Sequence, residues 1–314
     1  MARYLLRRAA FALLLVFTVS SAALLLTTLA PGDFVTATVD PSTRRDVQEQ
    51  LRASYGLNRS VPEIYRAWLA RAVRLDFGRS LAYNIPVAGL VRERAANTSI
   101  LAVTALALAT FVGIPLGVVT GSRRGWTTSA IRSASIVLLS LPPLLTSIML
   151  VVFASRTHWL PVSGMRTPGV PVSAADVLWH LVVPVAALGL PIAAMFERLQ
   201  AQAMSEVIAQ PYVVAAVARG VPKTRVVWRD ALRAALRPTA AVYGLVIGSL
   251  LSGSFAVEAV TAWPGLGLLM LNALRSRDLY LVAGCAAAGA LFLAAGTFIS
   301  DVAIAVIDPR TTDG

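Results

Sequence analysis

The residues able to do covalent or metal chemistry are few and far apart. Two histidines, at 158 and 180, and the single cysteine, Cys285, have separations that build no recognisable metal-ligand cluster. One cysteine allows no intrachain disulfide. A serine in Leu251-Ser252-Gly253-Ser254 needs a histidine base to become a nucleophile, and it lacks a Gly-x-Ser-Gly context. His180 stands near the outer end of a different apolar run. The phosphate-cradling pattern Gly-x-x-x-x-Gly-Lys-Ser/Thr is absent, because the only lysine, Lys223, has no glycine at the required spacing. The chain therefore does not bind and split ATP by that route. What remains is a polar stretch, Glu206 to Pro238, where Arg219, Lys223, Arg225, Arg229, Arg233 and Arg237 face only Glu206 and Asp230. Its chemistry is that of a docking surface. Gly220 suits the left-handed end of one short helix and Pro222 the start of another, so the stretch is expected to form a helix-turn-helix outside the membrane.

The elements that must position this stretch are apolar. With 314 residues, 57% of them hydrophobic, the chain has too few polar residues to cover a soluble globule. Six long runs lack Asp, Glu, Lys and Arg: Ala9 to Gly32, Ala95 to Ser122, Ser133 to Ser155, Val177 to Phe196, Pro238 to Val257 and Leu279 to Ser300. Each reaches the roughly 20 residues a helix needs to cross a bilayer. The net charge of +12 sits mostly beside and between these runs, where topology and lipid headgroups account for it without nucleic acid. Arg3, Arg7 and Arg8 precede the first run, Arg123, Arg124 and Arg132 lie between the second and third, and the basic stretch follows the fourth. The positive-inside rule then places these segments and both termini in the cytoplasm. The first run exceeds the apolar core of a secretory signal and is expected to stay as a helix.

The external segment from Asp33 to Arg94 carries ten arginines, but segments of that length cross largely regardless of charge. Ser60 and Glu63 have capping-box spacing with Pro62 in the first turn, so a helix starts there. It aligns Ile64, Trp68, Ala72 and Leu75 on one side, a stripe that fits packing against the chain itself or, alternatively, docking of an external partner. A further helix is expected from Thr43 to Tyr55, ending at Gly56. Gly113, Gly117 and Gly121 stack small residues on one face of the second span and allow close approach of another helix. Gly244 and Gly248 repeat the spacing in the fifth. Prolines 115, 142, 143, 184 and 191 imply kinks in spans two to four.

Charged residues that would mark an ion path inside the spans are missing, since Glu197 and Arg198 sit at the cytoplasmic edge of the fourth, Glu258 near the outer end of the fifth and Asp301 late in the sixth. The competing readings are a stand-alone secondary transporter or channel and, beyond it, an intramembrane serine protease. The first lacks both a proton path and an internal repeat, and the second lacks its base.

The basic stretch resembles the EAA loop of ATP-binding-cassette importer permeases, in the form found in dipeptide and oligopeptide systems. The resemblance rests on Ala215-Ala216-x-x-x-Gly220, Ala231-Leu232-Arg233 and Pro238, and on signatures in order along the chain: Pro31-Gly32-Asp33, Tyr55-Gly56-Leu57, Gly78-Arg79-Ser80, Gly113-Ile114-Pro115-Leu116-Gly117, Leu160-Pro161-Val162-Ser163-Gly164, Ala262-Trp263-Pro264-Gly265-Leu266-Gly267 and Asp308-Pro309-Arg310. Together they are similar to the B-type permease subunit. The resemblance implies an all-α integral membrane protein with six transmembrane helices and the type I importer permease fold. Its parts would be a cytoplasmic N-terminus and first helix (1–32), an external helical segment (33–94), a permease core (95–308) containing the coupling loop (197–238), and a cytoplasmic tail (309–314).

It further implies a bacterial cytoplasmic-membrane protein paired with a second homologous permease, two cytoplasmic ATPase subunits that bind the ATP and magnesium, and an external substrate-binding protein. No cofactor is expected on this chain. ATPase coupling falls to Glu206, Tyr212, Val213, Ala215, Ala216 and Gly220, with Arg229, Leu232 and Pro238 bracing them. Trp68, Trp263, Pro264, Gly265 and Gly267 would face the binding protein. The implied cargo is a dipeptide or oligopeptide, with nickel, glutathione and haem also carried within the family. Val214, Pro211 and Asp230 depart from the family pattern, where glutamate, aspartate and histidine are usual; Pro211 can still open a helix, but without an aspartate cap.

Overall fold

The computed structural model of the chain describes residues 2–171 and 173–307; the signature Asp308-Pro309-Arg310 and the tail 309–314 lie outside them. Among the described residues there are helices and no strand, as the apolar runs dictate. The backbone divides into two compact units, residues 1–99 with 264–295 and residues 100–263 with 296–314.

In the first unit α1 (Ala2–Leu29) is followed by three shorter helices, α2 (Phe34–Thr38), α3 (Arg45–Ser54) and α4 (Val61–Ala72). Asp33 accepts the Thr36 N–H at 2.8 Å and the Arg52 Nε–H at 2.6 Å, so one carboxylate both caps α2 and ties it to α3. Gly56, at φ +68°, ends the turn after α3. In α4 the Ser60 N–H donates to Glu63 Oε2 at 2.9 Å, and half of the stripe predicted from spacing is buried: Ile64 and Trp68 pack with Leu24 of α1 and with Leu279 and Ala283 of α15 (Leu279–Ile307), while Ala72 is half-buried and Leu75, past the end of α4 at φ +61°, is exposed. Trp68, expected to face an external partner, is 1% exposed. The correction has a simple cause: a large aromatic on an amphipathic helix lowers its free energy most against apolar spans of its own chain. Asp278 is likewise buried, accepts from the Ser80 hydroxyl and the Ala82 N–H, and caps α15 through the Leu281 N–H at 3.1 Å.

The second unit begins within α5 (Val87–Leu108), which passes through a π-helical turn, Ala109–Gly113, into α6 (Ile114–Ser122). The wider turn falls just before Pro115, whose ring would clash with an ordinary α-helical carbonyl four residues back. The third apolar run is not one straight helix. It forms α7 (Trp126–Ser140) and α8 (Pro143–Thr157), bent by 105° at Leu141 and Pro142. Leu141 precedes a proline and is therefore driven to an extended conformation, φ −96° and ψ 116°. Among the described residues five helices are long and apolar enough to cross a membrane, and the bent pair makes a sixth if it counts as one span. The fourth span is longer than its apolar run: α9 (Ala174–Ile208) carries Pro184 and Pro191 inside it and continues well past Phe196. Beyond it come α10 (Pro211–Ala218), α11 (Lys223–Arg225), a π-helical segment Val226–Ala231, α12 (Leu232–Ala241) and α13 (Tyr243–Thr261). In the first unit, α14 (Leu266–Arg275) precedes α15.

The hairpin as candidate functional site

The polar stretch folds into the helix-turn-helix its residues predict, and the turn can be followed bond by bond. Gly220 N–H reaches the Val217 carbonyl at 3.0 Å and Val221 N–H reaches the Ala216 carbonyl at 3.2 Å, the paired closure of a helix that ends on a left-handed residue. Gly220 supplies that residue at φ +87°, with nothing within 4 Å of where a β-carbon would stand. Pro222 is extended and its carbonyl accepts the Val226 N–H, which starts the second arm. That arm runs without a break through Pro238, which lies inside α12 and is not the start of the fifth span.

One side of the hairpin faces its own chain. Val213 is 3% exposed, and Val226, Ala231 and Ala235 are buried. Ala231 and Ala235 pack with Val118, Ala203 and Met204, and Leu232 lies half-buried against the same group. Val213 therefore holds α10 from within and presents nothing outward. The other side is open: Tyr212 is 52% exposed and Val214 56%, with Ala215, Arg219, Arg229 and Pro238 also exposed, Ala216 at the edge, and Glu206 exposed at the end of α9. Tyr212 and Val214 thus display apolar side chains on α10, an uncharged helix within an otherwise basic hairpin.

The hairpin is anchored to the spans through α9. Gly113, Gly117 and Gly121 lie against it, and added β-carbons would come within 2.4 Å of the Ala193 carbonyl, 2.6 Å of Gln200 Cβ and the Glu197 carbonyl, and 2.5 Å of the Ala201 carbonyl. This close seam encloses polar residues. Glu197, assigned from sequence to the edge of the span, is 1% exposed and accepts a bond from the Thr120 hydroxyl. One turn on, Gln200 is fully buried and its Oε1 accepts from the Thr239 hydroxyl of α12 at 2.9 Å. Arg132 of α7 donates to the Thr120 carbonyl. Among the described residues Glu197 Oε2 and Gln200 Nε2 have no hydrogen-bond partner. The sequence signal was there: Glu197, Gln200 and Met204 recur at helical spacing, and only their apposition to the glycine face was invisible.

The residues of the Pro-Gly-Leu-Gly corner expected to meet an external partner are only partly withdrawn from the surface. Trp263 is 0% exposed and belongs to the second unit's core with Leu101, Leu188 and Leu250. In the first unit Gly265 is buried, Gly267 is half-buried, and the half-buried Pro264 offers its carbonyl to Asn97 Nδ2 at 2.8 Å, while Leu266 N–H donates to Thr98 Oγ1. Trp263 therefore fills a core and does not present its ring outward, whereas Pro264 and Gly267 keep part of their surface exposed.

Comparison with known proteins agrees with this architecture. Residues 113–313 match the family described as binding-protein-dependent transport system inner membrane component. A putative peptide permease protein of Brucella ovis is 34% identical over 315 residues, covering 99% of each chain. The oligopeptide transport system permease protein AppB of Bacillus subtilis is 30% identical over 99% of each, and the glutathione transport system permease protein GsiC of Escherichia coli 30% over 88% of each. With a family match across the hairpin and most of the spans, and relatives aligned over nearly the whole length, the chain belongs to the binding-protein-dependent transport system inner membrane components and is a permease subunit of an ABC importer.

Proposed function

We propose that this permease carries peptides inward, and that the hairpin formed by residues 206–238 is where energy from ATP reaches it. The observation that carries the proposal is the two-sidedness of the hairpin: Val226, Ala231 and Ala235 are locked onto the chain, while Tyr212, Val214 and Ala215 are offered outward. A push on the outer face is thereby passed through α9 to the spans. The ATP and magnesium would belong to two ATPase subunits, and a second, homologous permease would complete the path. Both termini and the hairpin would face the cytoplasm, consistent with the arginines beside α1 and between α6 and α7. Peptide cargo is supported by the names of the Brucella and Bacillus relatives, and glutathione, itself a peptide, by that of the Escherichia relative.

The docking face can be tested by attaching a photo-activated crosslinker to a Val214→Cys chain, whose only other cysteine, Cys285, is buried. Crosslinks to the ATPase subunit are expected from position 214, and their absence in an assembled, active importer would contradict the reading. Uptake of radiolabelled dipeptides, oligopeptides and glutathione by that importer in proteoliposomes identifies the cargo. Uptake of none of them would exclude peptide transport.

A further inference from the structure

Behind the hairpin lies a hollow of about 420 Å³, closed on one side by Val118 of α6 and on the other by Val213 of α10 and Val226 of the second arm. Its size falls in the roughly 300–1,000 Å³ range of small-ligand sites. The walls are mainly aliphatic, yet Arg123 and Lys223 also line it, and no acidic residue does. Neither cation has an ion-pair or hydrogen-bond partner among the described residues, and both are exposed. Trp228, 47% exposed, stands on the same rim. The hollow opens where α6 and α9 end, beside a tryptophan and two basic residues, the arrangement of a protein surface at the level of lipid headgroups.

The geometry points to a site for one anionic phospholipid: its phosphate between Arg123 and Lys223, and the upper part of an acyl chain against the half-buried Val119, Ile208 and Val217. The chemistry selects this occupant over simpler ones. An inorganic anion gains nothing from valine walls, and a neutral amphiphile leaves the two cations unpaired. A headgroup that carries a phosphate and a net negative charge uses both halves of the site. Binding needs neither ATP nor the partner subunits, so it goes beyond the coupling role of the hairpin and stands or falls apart from it.

Trp228 is a built-in reporter. The full-length chain in detergent micelles would be titrated with bromine-bearing phosphatidylglycerol or phosphatidylcholine of the same chains, and the quenching lost in Trp228→Phe taken as the Trp228 signal. Half-quenching is expected at about a tenfold lower fraction of the anionic lipid, a modest reading of two cations near a headgroup. Arg123→Gln combined with Lys223→Gln should bring the two lipids together, while Arg233→Gln with Arg237→Gln, exposed cations outside the hollow, should keep the preference. Glycerol 3-phosphate, the headgroup without chains, should not compete. Equal quenching by both lipids in the parent chain, or a preference that survives loss of Arg123 and Lys223, would overturn the site. So would a preference abolished equally by the Arg233 and Arg237 changes, which would indicate diffuse attraction, or competition by glycerol 3-phosphate, which would indicate a free-anion site.

Discussion

At Gly220 the chain turns through φ +87° in open space, so a substitution there costs backbone energy without a clash. The cost can be graded by residue type. Gly220→Asn should lose least, Gly220→Ala about 1 kcal/mol, and Gly220→Val more, because a β-branched side chain tolerates the left-handed region worst. Thermal unfolding in detergent and protease cleavage at the turn would read this order. The buried pair Gln200 and Thr239 gives a second residue-scale prediction. Thr239→Val strips Gln200 Oε1 of its donor and should cost about 1–3 kcal/mol, whereas adding Gln200→Leu removes the orphan and should recover much of it. Gly220 was legible from type and spacing, since few residues other than glycine end a helix ahead of a proline. Glu197 and Gln200 were not, because two polar residues at the end of an apolar run read as a boundary unless the partner helix is known.

Between elements the closest fit is the glycine face of α6 and the π turn against α9. Gly117→Ala places a carbon 2.6 Å from backbone and side chain at once and should destabilise the chain by about 1–3 kcal/mol. Gly289→Ala in α15, with nothing within 4 Å, should be neutral or slightly stabilising in the same melt. The spacing of Gly113, Gly117 and Gly121 announced close packing, but not the helix it meets. For α7 and α8 the Pro142-Pro143 pair read as a kink, and the 105° bend appeared only in three dimensions.

The α2–α3 clasp adds a dependence on pH. Burial raises the pKa of Asp33, but the Thr36 N–H and Arg52 outweigh it and hold the carboxyl below its ordinary 3.8. A depressed carboxylate stabilises above its unfolded pKa and loses that contribution as pH falls through the folded one. Pepsin cleavage within residues 33–54 should therefore rise as pH drops below about 3.8. Asp33→Asn should be cleaved readily on both sides of that value.

For the whole molecule, the two-sided hairpin makes α9 the member that links the proposed docking face to the spans, since α6, α7 and α12 are all bonded or packed to it or its partners. The six-span helical plan followed from the apolar runs. The placement of Trp68 and Trp263 did not, because an aromatic stripe has the same spacing whether it meets a partner or its own core. The central claim is that this hairpin transmits the work of ATP hydrolysis. The most direct test compares ATP-driven uptake by the complete importer in proteoliposomes with the parent chain and with Gly220→Val, after confirming that the variant is inserted and assembled. Transport should fall by at least about tenfold in the variant while ATP hydrolysis persists, since one to two kcal/mol of strain and a misdirected docking helix act on the coupling step. Uptake at the parent rate would contradict the account.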